Sequence, residues 1–411
     1  MQIIHPTSIA GTLAAPASKS MMQRAIAIAT LAKGTSVLHG YTPSNDSDAA
    51  LQIAQNLGAT VERINDSITI IGGLQPRTSK LNCGEAGLGI RMFTPIASLW
   101  HSHIELHGEG SLQTRPVDSL IQPLTDLGVH ISTNNGFVPV KVCGPLQGGT
   151  ARVNGSLSSQ ILTGLLIAVP LAQSDTQFVV QDLKSKPYID MTLQIMNDFG
   201  VSASHSNYEL FSIPAQQMYI AQNYVVEGDW SGASFLLVAG ALGGSITVTN
   251  IRSSSKQADM ALLQAIRDAG AIVEFSDTAV TVRKHILQAF TFDATDCPDL
   301  FPPLVSLAAH CKGVSEIRGV SRLKHKESDR ATVLQTEFAK LGTRIENKGD
   351  SMFVYGGTLV GGSMHANNDH RIAMAGAVAA IAAKHPVQIE NPECVAKSYP
   401  GFWQDFETIC V

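Results

Sequence analysis

Lys19, Arg24, Arg91 and Arg371 each stand near the start of an apolar run that reads as a buried helix. A helix start carries partial positive charge and unpaired N–H groups, so it attracts anions and repels cations. Long cations placed there need an anionic ligand to justify them. Other polar residues share these positions: Ser20 in the first run, Glu85 and Gly87 in the second, and Ser158, Ser159 and Gln160 in the third. Asp229 and Ser231 open the fourth, Asp299 the fifth, and Asp369 and His370 the sixth. Serine and aspartate at a helix start are ordinarily caps, so the cations carry the inference. More cations precede a second set of helices: Arg115 in TRPVD, Lys186 beside Tyr188 in SKPYID, Lys326 and Arg330 in KHKESDR, and Lys397 in AKSYPGFW. Singly, each reads as a solvated surface charge. At equivalent places of a repeating unit, they read as a site for several negative charges.

Other chemistries have less support. The chain has neither a GxxxxGK loop nor GxGxxG, so nucleotide binding of those kinds is not indicated. His101 and His103 of HSHIELH share a strand face with no carboxylate cluster beside them, so no metal is expected. Cys83 reads as a small core residue rather than a nucleophile.

The 411 residues are 44% hydrophobic and 15% charged, which allows a large core and argues against disorder. A formal net charge of −5 speaks against a general nucleic-acid binder. It also gives no global attraction for an anion, so cations that bind one must be concentrated locally. The N-terminus lacks the basic start and apolar run of a signal peptide. No run of about 18 apolar residues indicates a membrane span. The six cysteines show no CxxC spacing and read as reduced thiols of a cytoplasmic protein.

An internal period sets the architecture that must position these residues. Segments such as DAALQIAQNLGATVERINDSITIIGG and DMALLQAIRDAGAIVEFSDTAVTVRK run from an amphipathic helix through a glycine into alternating strands. The pivot glycines are Gly58, Gly128, Gly200, Gly270 and Gly342, separated by 70, 72, 70 and 72 residues. Each is placed to end a helix in the left-handed conformation. The buried helices interleave with this series, starting near Pro16, Gly84, Gly155, Gly228, Pro298 and Asn368. Six units of helix, strand, helix, strand, strand result. The sixth stops at GFWQDFETICV, so the N-terminal QIIHPTSIAGTLAAP is expected to supply its missing strand pair. Six units divide into two domains of three. One is discontinuous, residues 1–17 with 228–411, and the other, residues 18–227, is inserted in it. Pseudo-symmetry would converge the six helix starts on one cleft between them.

These residues resemble the EPSP synthase family, the 3-phosphoshikimate 1-carboxyvinyltransferases. SKSMMQR is similar to the family's SKS…R signature and GEAGLGIR to its GNAGTAMR stretch. TRPVD, GSLSSQ, SKPYID, EGDWSGAS, PDLFPPL, KESDR, NDHRIAM and AKSYPGFW each resemble a family block, and all occur in the family's order along nearly the whole chain. The resemblance implies a mixed α/β (α+β) fold. It has two domains, each an inside-out α/β barrel of three βαβαββ units, with the active site in the cleft between them. It implies transfer of the enolpyruvyl group of phosphoenolpyruvate to the 5-hydroxyl of shikimate 3-phosphate, with no cofactor and no metal. A monomer acting on these two small molecules, without nucleic acid or membrane, is expected.

By family match, Lys19, Gly87, Arg115, Gln160, Arg330, Arg371 and Lys397 hold phosphoenolpyruvate. Lys19, Ser20, Arg24, Ser158, Ser159, Ser185, Asp299 and Lys326 hold shikimate 3-phosphate. Asp299 is the expected base for the 5-hydroxyl and Glu327 the expected proton donor, with Lys19 as competitor. Two departures flank the phosphoenolpyruvate pocket: Leu88 stands for the common Thr and Met92 for the common Pro. They imply an altered response to glyphosate, which resembles phosphoenolpyruvate in occupying that pocket. Glu85 stands for the usual Asn and puts a carboxylate near an anionic site. The related enolpyruvyl transferase acting on UDP-N-acetylglucosamine is disfavoured, because the loop GEGSLQT lacks that enzyme's cysteine. A non-catalytic relative would lose its charged site residues first, and here they remain.

Overall fold

The structure, a computed structural model, describes residues 1–411. It has two compact units, Met1–Ser18 with Glu227–Val411, and Lys19–Val226. No helix is long and apolar enough to cross a membrane.

Six small sheets are present, five of four strands and one of three, in agreement with six repeats. One of them shows the common plan. Lys80–Asn82 lies parallel to His103–His107. That strand is antiparallel to Phe137–Cys143, which is antiparallel to His130–Asn134. Side chains alternate across such a strand, and Val138, Val140 and Val142 are the buried set of Phe137–Cys143. The five pivot glycines all have positive φ, from +83° to +118°, so each turn from helix to strand uses the conformation that glycine adopts most freely.

The buried helices are α1 (Lys19–Leu31), α2 (Gly87–Ala97) and α3 (Gln160–Ala168) in one unit. Their counterparts in the other are α4 (Trp230–Gly243), α5 (Phe301–Ala308) and α6 (His370–Ala380). Every residue of α2 and α6 is buried, as an all-round apolar surface requires. In the discontinuous unit α4, α5 and α6 pack on one another, and in the inserted unit α2 packs on both α1 and α3. The strand that follows each of several helices packs back on it: Thr35–His39 on α1, Gly244–Thr249 on α4 and Val387–Glu390 on α6.

One expectation needs correction. Gln2–Ile4 does join the sixth sheet, antiparallel to Val387–Glu390. Ile9–Ala14 does not. It lies parallel to Gly244–Thr249, the strand after α4. Asn223–Val225, the strand before α4, lies instead parallel to Thr35–His39, the strand after α1. The two strands are exchanged between repeats, and the sixth sheet keeps three strands. The physical reason is edge closure. Once Asn223–Val225 is committed to the inserted unit, Gly244–Thr249 would expose unpaired backbone groups, and Ile9–Ala14 supplies them with partners.

Candidate active site

In the discontinuous unit the site is built on Arg330, the first residue of the helix Arg330–Lys340. Its guanidinium is fully buried and donates to three carboxylates. Nε and Nη2 bind the two oxygens of Asp369 at 2.8 and 3.2 Å. Nη1 binds Asp299 at 2.7 Å and Nη2 binds Glu327 at 2.6 Å. Asp369 also caps α6, accepting from the Arg371 N–H at 3.1 Å, and accepts from the Ser328 hydroxyl at 3.0 Å. Each acceptor adds to the hold on Arg330. Burial alone would weaken the guanidinium's hold on its proton, but Asp369, Glu327 and Asp299 raise it well above its ordinary value.

Asp299 sits in the turn Pro298–Leu300 that leads into α5. Besides Arg330 it accepts from Lys326 Nζ at 3.1 Å and faces Arg371 Nη2 at 3.2 Å. Burial would raise its carboxyl, but Arg371, Lys326 and Arg330 together hold it well below the usual carboxylate range. Lys326 is lowered by burial against the pull of Asp299. Burial would lower Arg371, in the first turn of α6, but Asp299, Asp259 and Asp229 together raise it above its ordinary value. Lys397 is buried on the turn Pro392–Lys397, which packs against α6. Glu327 enters as an acceptor of Arg330, so a role as proton donor requires that contact to give way.

The inserted unit holds two clusters joined by α3. In the first, Arg24 of α1 is buried to 1% exposure. It donates to the hydroxyls of Thr192 at 2.8 Å and Thr163 at 3.2 Å, and to the Ser20 carbonyl at 2.8 Å. These partners are neutral, and burial lowers the guanidinium to about 10. Lys19 pairs with Asp46 at 2.9 Å. In the second cluster, Arg91 donates to Gln160 Oε1 at 3.1 Å, to the Gly87 carbonyl at 2.9 Å and to the Pro116 carbonyl at 2.7 Å. It thereby orients Gln160 and ties down the residue after Arg115. Gly87 is needed for close approach. A Cβ there would lie 2.4 Å from Arg115 Nη2 and 2.6 Å from its Cζ.

The remaining residues line helix starts. The Ser158 hydroxyl accepts from the Gln160 N–H at 3.2 Å, and Ser159 is the buried cap position of α3. Ser185 is buried and precedes the helix Lys186–Asp198 with φ of +57°. The Glu85 carboxylate accepts from the N–H and hydroxyl of Ser111 at 3.0 and 2.8 Å, so it ties the turn Gly110–Thr114 to the start of α2. Cys83 is buried, and its thiol is pushed up by burial, as suits a core residue.

Two carboxylates escape the sequence reading of the site. Asp369 carries the signature of a helix opener but not of a partner for Arg330. Asp46 follows a cap serine in TPSNDSD and nothing near it points to Lys19. Long-range pairing leaves no local trace in either case.

A profile of EPSP synthase (3-phosphoshikimate 1-carboxyvinyltransferase) matches residues 3–406. A 3-phosphoshikimate 1-carboxyvinyltransferase of Clostridium kluyveri is 35% identical over 99% of this chain and 96% of that protein. The same-named protein of Methanocorpusculum labreanum is 36% identical over 99% and 98%. The solved EPSP synthase of Acinetobacter baumannii superposes with a TM-score of 0.85 at 24% identity, covering 99% of this chain and 98% of that one. The chain belongs to the EPSP synthase family.

Arg330 anchors three carboxylates, so its removal leaves them buried and uncompensated. Arg330→Gln should cost about 3–5 kcal/mol of stability, read by denaturant unfolding at neutral pH. A loss below about 1 kcal/mol, the range of an exposed ion pair, would contradict this account.

Proposed function

We propose that the named cations and carboxylates of the two units bind phosphoenolpyruvate and shikimate 3-phosphate and carry the chemistry of their reaction. The chain transfers the enolpyruvyl group of phosphoenolpyruvate to the 5-hydroxyl of shikimate 3-phosphate and releases phosphate, a step of the shikimate pathway. The observation that best supports the site assignment is Asp299 with Lys326, Arg330 and Arg371 around it. A carboxylate so held is a weak base, and a base works best with a proton affinity near the operating pH. Substrate anions would draw Lys326 and Arg371 away from Asp299, while Arg330 stays locked on Asp369. Asp299 regains basicity as its cations turn to substrate, so the base becomes active when the site fills.

In this reading Asp299 takes the proton of the 5-hydroxyl as its oxygen attacks C2 of phosphoenolpyruvate. C3 receives a proton from Glu327 or Lys19, giving a tetrahedral intermediate. Loss of a C3 proton and departure of phosphate then regenerate the vinyl group. Arg115, Gln160, the Gly87 backbone, Arg371 and Lys397 face the phosphoenolpyruvate part, where fixed donors stabilise charge without reorganising. Arg330, whose bonds run to Asp369, Asp299 and Glu327, serves that part by orienting these carboxylates. Lys19, Ser20, Ser158, Ser159, Ser185 and Lys326 face shikimate 3-phosphate. Arg24 acts there through its charge, since its bonds run to protein. The working form we infer is a cytoplasmic monomer. All six cysteines are free, as a reducing compartment requires, and light scattering on the assayed enzyme should return a single-chain mass.

Phosphate release from phosphoenolpyruvate should require shikimate 3-phosphate and should not occur with UDP-N-acetylglucosamine. Asp299→Ala and Glu327→Gln should each lower kcat by about 100-fold or more; near-normal turnover would remove them from these roles. Gly87→Ala should push Arg115 aside and raise KM for phosphoenolpyruvate more than it lowers kcat, whereas an unchanged KM would show that Arg115 does not hold this substrate. Glyphosate inhibition should differ from that of a relative with Thr and Pro at positions 88 and 92, compared at matched phosphoenolpyruvate saturation.

A further inference from the structure

Asp259 lies in the turn Ala258–Ala261 against α4, at 1% exposure. One oxygen accepts a hydrogen bond from the Ser231 hydroxyl in the first turn of α4. The other oxygen is buried with no hydrogen-bond partner. Asp259 makes no ion pair of the kind that Asp299 makes three times over. The charged and titratable groups that act on it are Asp299 before α5, Arg371 in α6 and Asp229 at the start of α4, and the Cys297 thiol feels it in turn. Two aspartates thus share the field of one arginine, and the geometry gives that arginine to Asp299.

We propose that Asp259 is a positioning residue of this site: as the neutral acid on Ser231 it leaves Arg371 to Asp299, and as the carboxylate it competes with Asp299 for that cation. The proposal rests on the reading of Asp299 and Arg371 given above. It accounts for the orphan oxygen, which is a costly feature for a buried carboxylate and a smaller one for a buried acid. Burial first, then Asp299, pushes the Asp259 carboxyl up to about 7, against the opposing pulls of Arg371 and Ser231. The change of charge on Asp259 therefore falls near neutral pH. A rise in pH would turn Arg371 from the substrate-facing pair toward the interior.

The test compares wild type with Asp259→Asn and Ser231→Ala between about pH 5.5 and 9. For wild type, KM for phosphoenolpyruvate should rise about ten-fold more than in Asp259→Asn as pH passes through about 7, with a smaller change in kcat. Titration of the substrates themselves cancels in the ratio of the two enzymes. Ser231→Ala should move the transition to higher pH, because the hydroxyl that favours the carboxylate is gone. Parallel profiles in wild type and Asp259→Asn, or an unmoved transition in Ser231→Ala, would overturn the proposal.

Thermal unfolding gives a readout that does not depend on activity. A carboxyl raised in the folded state contributes stability that is full below its unfolded value, near 4, and is lost as pH rises through about 7. Wild type should therefore lose Tm over that window relative to Asp259→Asn, and parallel Tm curves would also overturn the proposal. If Asp259→Asn fails to fold, the Ser231→Ala Tm curve decides, since its loss of Tm should fall at higher pH than in wild type. Absence of phosphate release in wild type would defeat the functional reading of the site, while the Tm comparison would still judge the ionisation of Asp259.

Discussion

The discontinuous unit depends on one buried guanidinium. Arg330 joins Asp299 before α5, Asp369 at the start of α6 and Glu327 in its own loop, so three segments distant in sequence meet at a single group. A buried ion network of this kind is weak evidence for stability, because desolvation of each charge offsets most of the attraction. Its value is geometric. A planar fork with fixed donors sets the orientation of three carboxylates at once, and the orientation of Asp369 sets the first turn of α6, which carries Arg371. Replacing Arg330 by lysine would keep the charge and lose this arrangement.

The inserted unit uses a buried arginine in the opposite electrical sense. Arg24 has hydroxyls and a carbonyl where Arg330 has carboxylates, and burial lowers the one while anions raise the other. A cation held by neutral dipoles keeps its field for a ligand, whereas a cation neutralised by three acids spends its field on the framework. The two units therefore surround their buried arginines differently despite the same repeat: Arg24 sits among neutral dipoles, and Arg330 among three carboxylates. The average charge of −5 is blind to both.

How much of this is legible in the sequence depends on the range of the interaction. The pivot glycines state their own geometry, since a left-handed residue after an amphipathic helix needs nothing distant to explain it, and all five have positive φ. The buried helices are equally plain, because an all-round apolar surface has only one place to go. The exchange of Ile9–Ala14 with Asn223–Val225 is not legible. Ile9–Ala14 shows no clean alternation and Asn223–Val225 is only three residues long, and edge pairing is decided by which partner the chain can reach. Lys19 with Asp46 and Arg330 with Asp369 fail for the same reason. Each residue has a sufficient local explanation, a helix start or a cap, that hides its distant partner.

Glu85 shows how a departure from a family pattern is absorbed. Its carboxylate accepts two hydrogen bonds from Ser111, two residues after Glu109 in the loop that leads to Arg115. The charge is turned to the turn Gly110–Thr114 and its backbone dipoles, and a Cβ at Gly110 would strike it at 2.4 Å. The substitution and the glycine thus depend on each other. The loop takes up the acid at position 85, and Arg115, which follows that loop, lies against Gly87. What reads in sequence as an isolated carboxylate is one of the contacts that orders the loop leading to Arg115.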